Sequence, residues 1–97
     1  MGGNERMCNS GLSLLRKRID RIDKRIAGLL VKRYKCISAI GLYKGENKIS
    51  VEDPRREADV LGKVTHGIRD EKAVDFIRQV YACIFNASRA VEIHKSG

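Results

Sequence analysis

Arg33 and Lys44, then Glu57, then Ser88 and Glu92, stand where the hydrophobic period of the chain assigns an apolar residue. An ion or hydroxyl on a face meant for a core is costly unless it finds a partner, because water no longer solvates it. These groups must therefore meet one another or a ligand. Internal salt bridges would satisfy them, for instance Glu57 with Lys44 or Arg33, and an arginine at the edge of a stripe can also extend its head to water. Together with Arg16 the set has cations in excess, which suits an anionic guest better than a neutralised network. Arg16 and Arg33 are seventeen residues apart. On one helix that is about 26 Å, too far for both to grip one small molecule from the same chain. In an antiparallel dimer, Arg16 of one chain approaches Arg33 of the other. The residues alone lead to a helical dimer with cationic pockets for a small polyanion, and they do not name the guest.

The elements that must position these groups read as three helices. From Leu12 the apolar residues fall at Leu15, Ile19, Ile22, Ile26, Leu29, Ile37 and Ile40, one face of a helix that runs to Lys44. The period predicts Arg33 in the middle of the one long gap, and Lys44 four residues beyond Ile40. Such a helix is roughly 50 Å long, against a radius of gyration of ~13 Å for a domain of this size. What remains of one chain cannot cover it, so a second chain is implied. Gly45 to Glu52 is polar and reads as a loop. Asp53 and Pro54 then open a second helix as N-cap and first helical residue, with Val60, Leu61, Val64 and Ile68 on its apolar face and Gly67 as terminator. Glu57 lies one turn before Leu61 on that face. Asp70 caps a third helix, from about Glu71 to His94, whose stripe is Val74, Ile77, Tyr81, Ile84, Ser88 and Val91. Glu92 sits one turn beyond Ser88.

Composition narrows the class. The 97 residues suffice for one core, five aromatics leave that core to Ile, Val and Leu, and the single proline permits long helices. A net charge of +8 favours an anionic partner without choosing among nucleic acid, an acidic membrane surface and a small metabolite. Cys8, Cys36 and Cys83 are odd in number and lack zinc-type spacing, which points to reduced thiols in the cytoplasm, with Cys36 and Cys83 expected in helix packing. Residues 1–11 read as a flexible tail without a signal peptide, and 12–97 as the helical domain. No stretch approaches the ~20 apolar residues of a membrane span.

The order of these features resembles the all-helical class of chorismate mutase. The resemblance runs through Leu15-Arg16-Lys17-Arg18-Ile19-Asp20, Ile22-Asp23, Leu29-Leu30-Val31-Lys32-Arg33, and Ile40-Gly41 with Lys44. It continues through Val51-Glu52-Asp53-Pro54-Arg55-Arg56-Glu57 and ends in Ile84-Phe85 with Ser88-Arg89, covering about residues 12 to 93. It implies an all-α fold of three helices per chain, intertwined into a homodimer with two equivalent sites. The implied reaction rearranges chorismate to prephenate, at the branch point toward phenylalanine and tyrosine. That reaction is unimolecular and concerted and needs no nucleophile, metal or cofactor. His66 and His94, alone near helix ends, read as surface residues.

Carried onto this sequence, the resemblance assigns Arg33, and Arg16 from the other protomer, to the two carboxylates of the substrate, which guanidinium forks hold bidentately. Lys44 donates to the ether oxygen and a neighbouring carboxylate. The backbone near Asp53 and the Glu57 side chain bind the ring hydroxyl, Arg56 gives electrostatic support, and Ser88 reaches a carboxylate oxygen. Glu92 stands where the family has Gln or Glu, as a donor to the ether oxygen. An ionised carboxylate cannot donate, so Glu92 must be protonated in the active form, and activity is expected to rise below neutral pH. Lys44, Glu92, Arg33 and Arg16 are thus the expected catalytic set. Three other readings fit parts of the sequence. An isochorismate–pyruvate lyase would use a related helical dimer and the same cations. A basic nucleic-acid-binding module would use Arg18, Arg21, Lys24, Arg25 and Lys32, although these read as a solvated helix face and no reading motif accompanies them. A helical dimer without catalysis would have no need of Arg16, Arg33, Lys44, Glu57 and Glu92 together.

Overall fold

A computed structural model describes residues 2–97, with side chains from residue 10 onward. Three helices make up the chain: α1 (Gly2–Glu46), α2 (Pro54–Thr65) and α3 (Glu71–Ser96), with no strand among the described residues. α1 begins ten residues before Leu12, where the apolar period starts. For residues 1–9 the expected tail lies outside the described side chains, and so does Cys8.

The helix ends follow local chemistry. α1 stops as Asn47 N–H and Ile49 N–H reach back to the Tyr43 and Lys44 carbonyls at 3.0 and 2.8 Å. Lys48 takes a left-handed φ of 54° to make that turn. Asp53 caps α2 as expected, its Oδ1 accepting from Arg56 N–H at 3.1 Å, with Pro54 in the first turn. Gly67, at φ +82°, turns the chain after α2 at no steric cost. Asp70 caps α3, accepting from Lys72 and Ala73 N–H at 3.0 and 3.3 Å, and the helix runs two residues past the expected His94.

The chain divides into two units, Met1–Arg33 and Tyr34–Gly97. In the first, Leu12, Leu15, Ile19, Ile22, Ile26 and Leu29 are all exposed. In the second, α2 packs on α3. Val60, Leu61 and Val64 on α2, and Val74, Ile77, Tyr81, Ile84 and Val91 on α3, are half-buried as the period predicts, whereas Ile68, also expected on the α2 face, lies beyond the end of α2 and is exposed. Phe85 is the buried apolar residue among those described, with the Tyr81 ring edge-on at 5.6 Å. Cys36 and Cys83 are free and exposed on the chain, contrary to the expected packing role. Cys83 lies one residue before Ile84, about 100° around the helix and so off the packed stripe. No helix is long and apolar enough to cross a membrane among the described residues.

Candidate functional site

Gly41 and Gly45 lie one turn apart on α1, and the backbone of α3 approaches both. A methyl group on Gly41 would meet Glu92 Cα and Lys95 Cβ at 2.9 Å, and one on Gly45 would meet the Ser96 carbonyl oxygen at 2.6 Å. The absence of side chains at these two positions is what lets the helices cross so closely. Ser38, one turn before Gly41, continues the row of small residues, its hydroxyl buried without a hydrogen bond.

That crossing sets the first polar pair. Lys44 Nζ lies 2.8 Å from Glu92 Oε1 and donates to the Val51 carbonyl at 3.2 Å, so one ammonium ties α1 to α3 and to the loop before α2. Glu92 is only 7% exposed, the most buried charged residue among those described. Its Oε1 is in ionic contact with Lys44 but accepts no well-aligned hydrogen bond, which leaves an acceptor with capacity to spare.

A second pair joins α2 to α3. Glu57 and Arg89 meet through Oε2 and Nη1, each side chain about one-third exposed or less. α3 acts as the ruler for both pairs: Ser88, Arg89 and Glu92 fall within five residues, about 6 Å of helix. Ser88 Oγ donates to the Ile84 carbonyl at 2.7 Å. The structure thus gathers Lys44, Glu57, Ser88 and Glu92 around α3, in a different pairing from the Glu57–Lys44 or Glu57–Arg33 bridges considered from sequence.

The other expected residues stand elsewhere. Asp53 is exposed, and its carboxylate is used as the cap of α2. Arg56 is exposed and pairs with Asp59 at 3.0 Å, which also meets Lys63 at 3.2 Å. The hydrogen bond and charge of Lys63, with Arg56 adding to them, hold the Asp59 carboxyl below its ordinary value. Arg33 is half-buried and Arg16 exposed, both on the part of α1 that belongs to the first unit. Sequence reading did not single out Arg89, Val51 or the Gly41–Gly45 spacing as parts of a site. Gly41 inside a helical pattern was the available signal, since such a glycine usually has a packing reason, while Gly45 was read as the start of a loop although α1 runs to Glu46.

Chemically, the α3 cluster offers an ammonium, a hydroxyl, a buried carboxylate and a charge-compensated carboxylate. It can hold the anionic and hydroxyl groups of a small guest. The chorismate mutase type II family matches residues 15–93. A bifunctional chorismate mutase/prephenate dehydratase of Aquifex aeolicus (strain VF5) is 32% identical over 84 residues, 87% of this chain and 21% of that protein. The chain therefore spans about a fifth of the length of that relative. No solved structure gives a significant match.

Proposed function

The chain belongs to the chorismate mutase type II family, and on that footing we propose that it rearranges chorismate to prephenate in a homodimer whose sites draw on both protomers. The observation that carries the reading is the Lys44–Glu92 pair, a cation 2.8 Å from a buried carboxylate on the far side of a glycine-lined crossing. The rearrangement breaks a C–O bond as a C–C bond forms, and negative charge develops on the ether oxygen. Two donors fixed in a water-poor place stabilise that charge better than mobile water can. Lys44 is one donor, and Glu92, which stands where the family has Gln or Glu, is assigned the other. Arg33, with Arg16 of the partner subunit, holds the two carboxylates and so selects the compact conformer in which the reacting carbons approach. Ser88 reaches a carboxylate oxygen, Glu57 and the backbone near Asp53 take the ring hydroxyl, and Arg56 adds positive potential. The exposed apolar stripe from Leu12 to Leu29 supports the dimer, because it is a helix face without a cover in its own unit. A cytoplasmic setting accords with the free thiols of Cys36 and Cys83.

The direct test is loss of chorismate absorbance on adding the protein, with prephenate identified as product. A folded dimer that leaves chorismate untouched from pH 5 to 8 sinks the reading and makes isochorismate the next substrate to try. Shared sites are tested by mixing inactive Arg16→Ala with inactive Arg33→Ala chains. Subunit exchange produces heterodimers with one doubly lesioned and one intact site, so activity must return. The Glu92 role predicts that Glu92→Gln, whose amide offers a donor, stays active while Glu92→Leu does not. A Leu variant as active as the Gln variant would count against it.

A further inference from the structure

Glu57 is the anion of the expected set to which sequence reading could assign no settled cation. A bare carboxylate beside a dianionic substrate repels it, yet this same group is asked to accept the ring hydroxyl. The fold resolves the conflict through a residue outside the expected set. Arg89 Nη1 contacts Glu57 Oε2 and bridges α3 to α2. The Glu57 backbone is fixed as well, its N–H donating to the Asp53 carbonyl at 3.1 Å in the first turn after Pro54. The guanidinium then restricts the side-chain torsions of Glu57.

We infer, on the chorismate reading of this site, that Arg89 is a positioning residue that orients Glu57 and cancels its charge toward the substrate. Arg89 follows Ser88 directly and precedes Glu92 by one turn, so the helix that carries two expected substrate contacts also sets the third. With Oε2 held by Arg89, Oε1 is the oxygen that accepts the ring hydroxyl. The pair borders an open groove of about 350 Å³ between α2 and α3, lined also by Leu61 and the buried Phe85. Its apolar lining favours the ion pair over two separately hydrated charges. An arginine suits the task because it stays charged at every working pH and its planar fork fixes direction as well as charge.

The experiment is a kinetic double-mutant cycle on the purified protein with chorismate as substrate. Arg89→Ala is expected to lower kcat/KM by about tenfold to a hundredfold, the range in which loss of orientation acts, with most of the change in KM. Arg89→Lys, which restores charge without the fork, recovers part of it. In a Glu57→Ala background, Arg89→Ala has no further effect, because no carboxylate is left to orient. A purely structural tie between α2 and α3 behaves differently: Arg89→Ala then lowers Tm and leaves kinetics well below Tm unchanged. That result overturns the inference. Should Arg89→Ala fail to fold, Arg89→Gln keeps most of the side chain and carries the same cycle. A wild-type protein inert toward chorismate overturns this inference together with the proposed function. An active wild type whose Arg89 variants match it overturns this inference alone.

Discussion

Residues 12–29 and the cluster from Gly41 to Glu92 use apolar and charged residues in opposite ways. In the first, Leu12, Leu15, Ile19, Ile22, Ile26 and Leu29 are 47 to 63% exposed. In the second, a glutamate is 7% exposed and its lysine partner lies 2.8 Å away. Neither arrangement favours a lone folded chain. Apolar surface left in water forgoes roughly 25 cal/mol per Å², and a buried ion pair barely repays the desolvation of its two charges. A stability optimum would exchange the two patterns. Each region is shaped for something outside the chain, on our reading a second copy in one case and an anionic substrate in the other.

The sharpest way to break this contrast is to remove the cation from the buried pair. Lys44→Met leaves Glu92 buried and uncompensated, which is expected to cost about 3–5 kcal/mol at neutral pH by urea unfolding. It also removes one donor to the ether oxygen, a loss of about 10²–10³ in rate. Adding Glu92→Leu should return much of the stability and none of the activity. If Lys44→Met unfolds like wild type, Glu92 is hydrated in solution and the two regions do not differ in kind.

A smaller effect tests the packing that creates the pair. Replacing a helical glycine by alanine gains up to about 1 kcal/mol of propensity where space allows. Gly28 has nothing within 4 Å of the added methyl, so Gly28→Ala should raise Tm. At Gly41 the same methyl meets Glu92 Cα at 2.9 Å, and that atom cannot move without its helix. Gly41→Ala should therefore be destabilising by about 1–3 kcal/mol, and activity should fall as Lys44 and Glu92 separate. One substitution with opposite signs in the two regions is the expected outcome. Equal signs would mean that the α1–α3 crossing is looser than described, or that Gly28 faces another surface.

These cases also show how far the sequence could be read. Asp53, Pro54 and Asp70 announced their helices because a cap and its first turn are local chemistry. The stripe Val74, Ile77, Tyr81, Ile84 and Val91 announced its face because burial imposes the period of the helix. The pairing of the polar residues was not legible. Glu57 could have met Lys44, Arg33 or Arg89, and the choice depends on how α2 and α3 are placed in space. The start of α1 was missed because the apolar period begins only at Leu12, ten residues after the helix does. Cys83 shows the converse: its apolar character suggested packing, while its angular position one residue before Ile84 takes it off the stripe.

The smallest effect separates distance from burial. Asp59 meets Lys63 at 3.2 Å, close to the 2.8 Å of Lys44 and Glu92, but these side chains are 51 and 70% exposed against 9 and 15%. Lys63 first, and Arg56 after it, hold the Asp59 carboxyl below its ordinary value of 3.8. A carboxylate depressed in the folded state adds stability above its unfolded value and loses it as pH falls through the folded one. Asp59→Asn should therefore cost slightly in Tm at neutral pH, and the difference should fade as pH drops below about 4, the ordinary range of an unfolded aspartate. Because the pair is open to water, molar salt should erase the difference at neutral pH as well. The loss caused by Lys44→Met should survive the same salt. If salt removes both alike, exposure is not what distinguishes the two pairs, and the buried carboxylate of Glu92 loses its special standing in this fold.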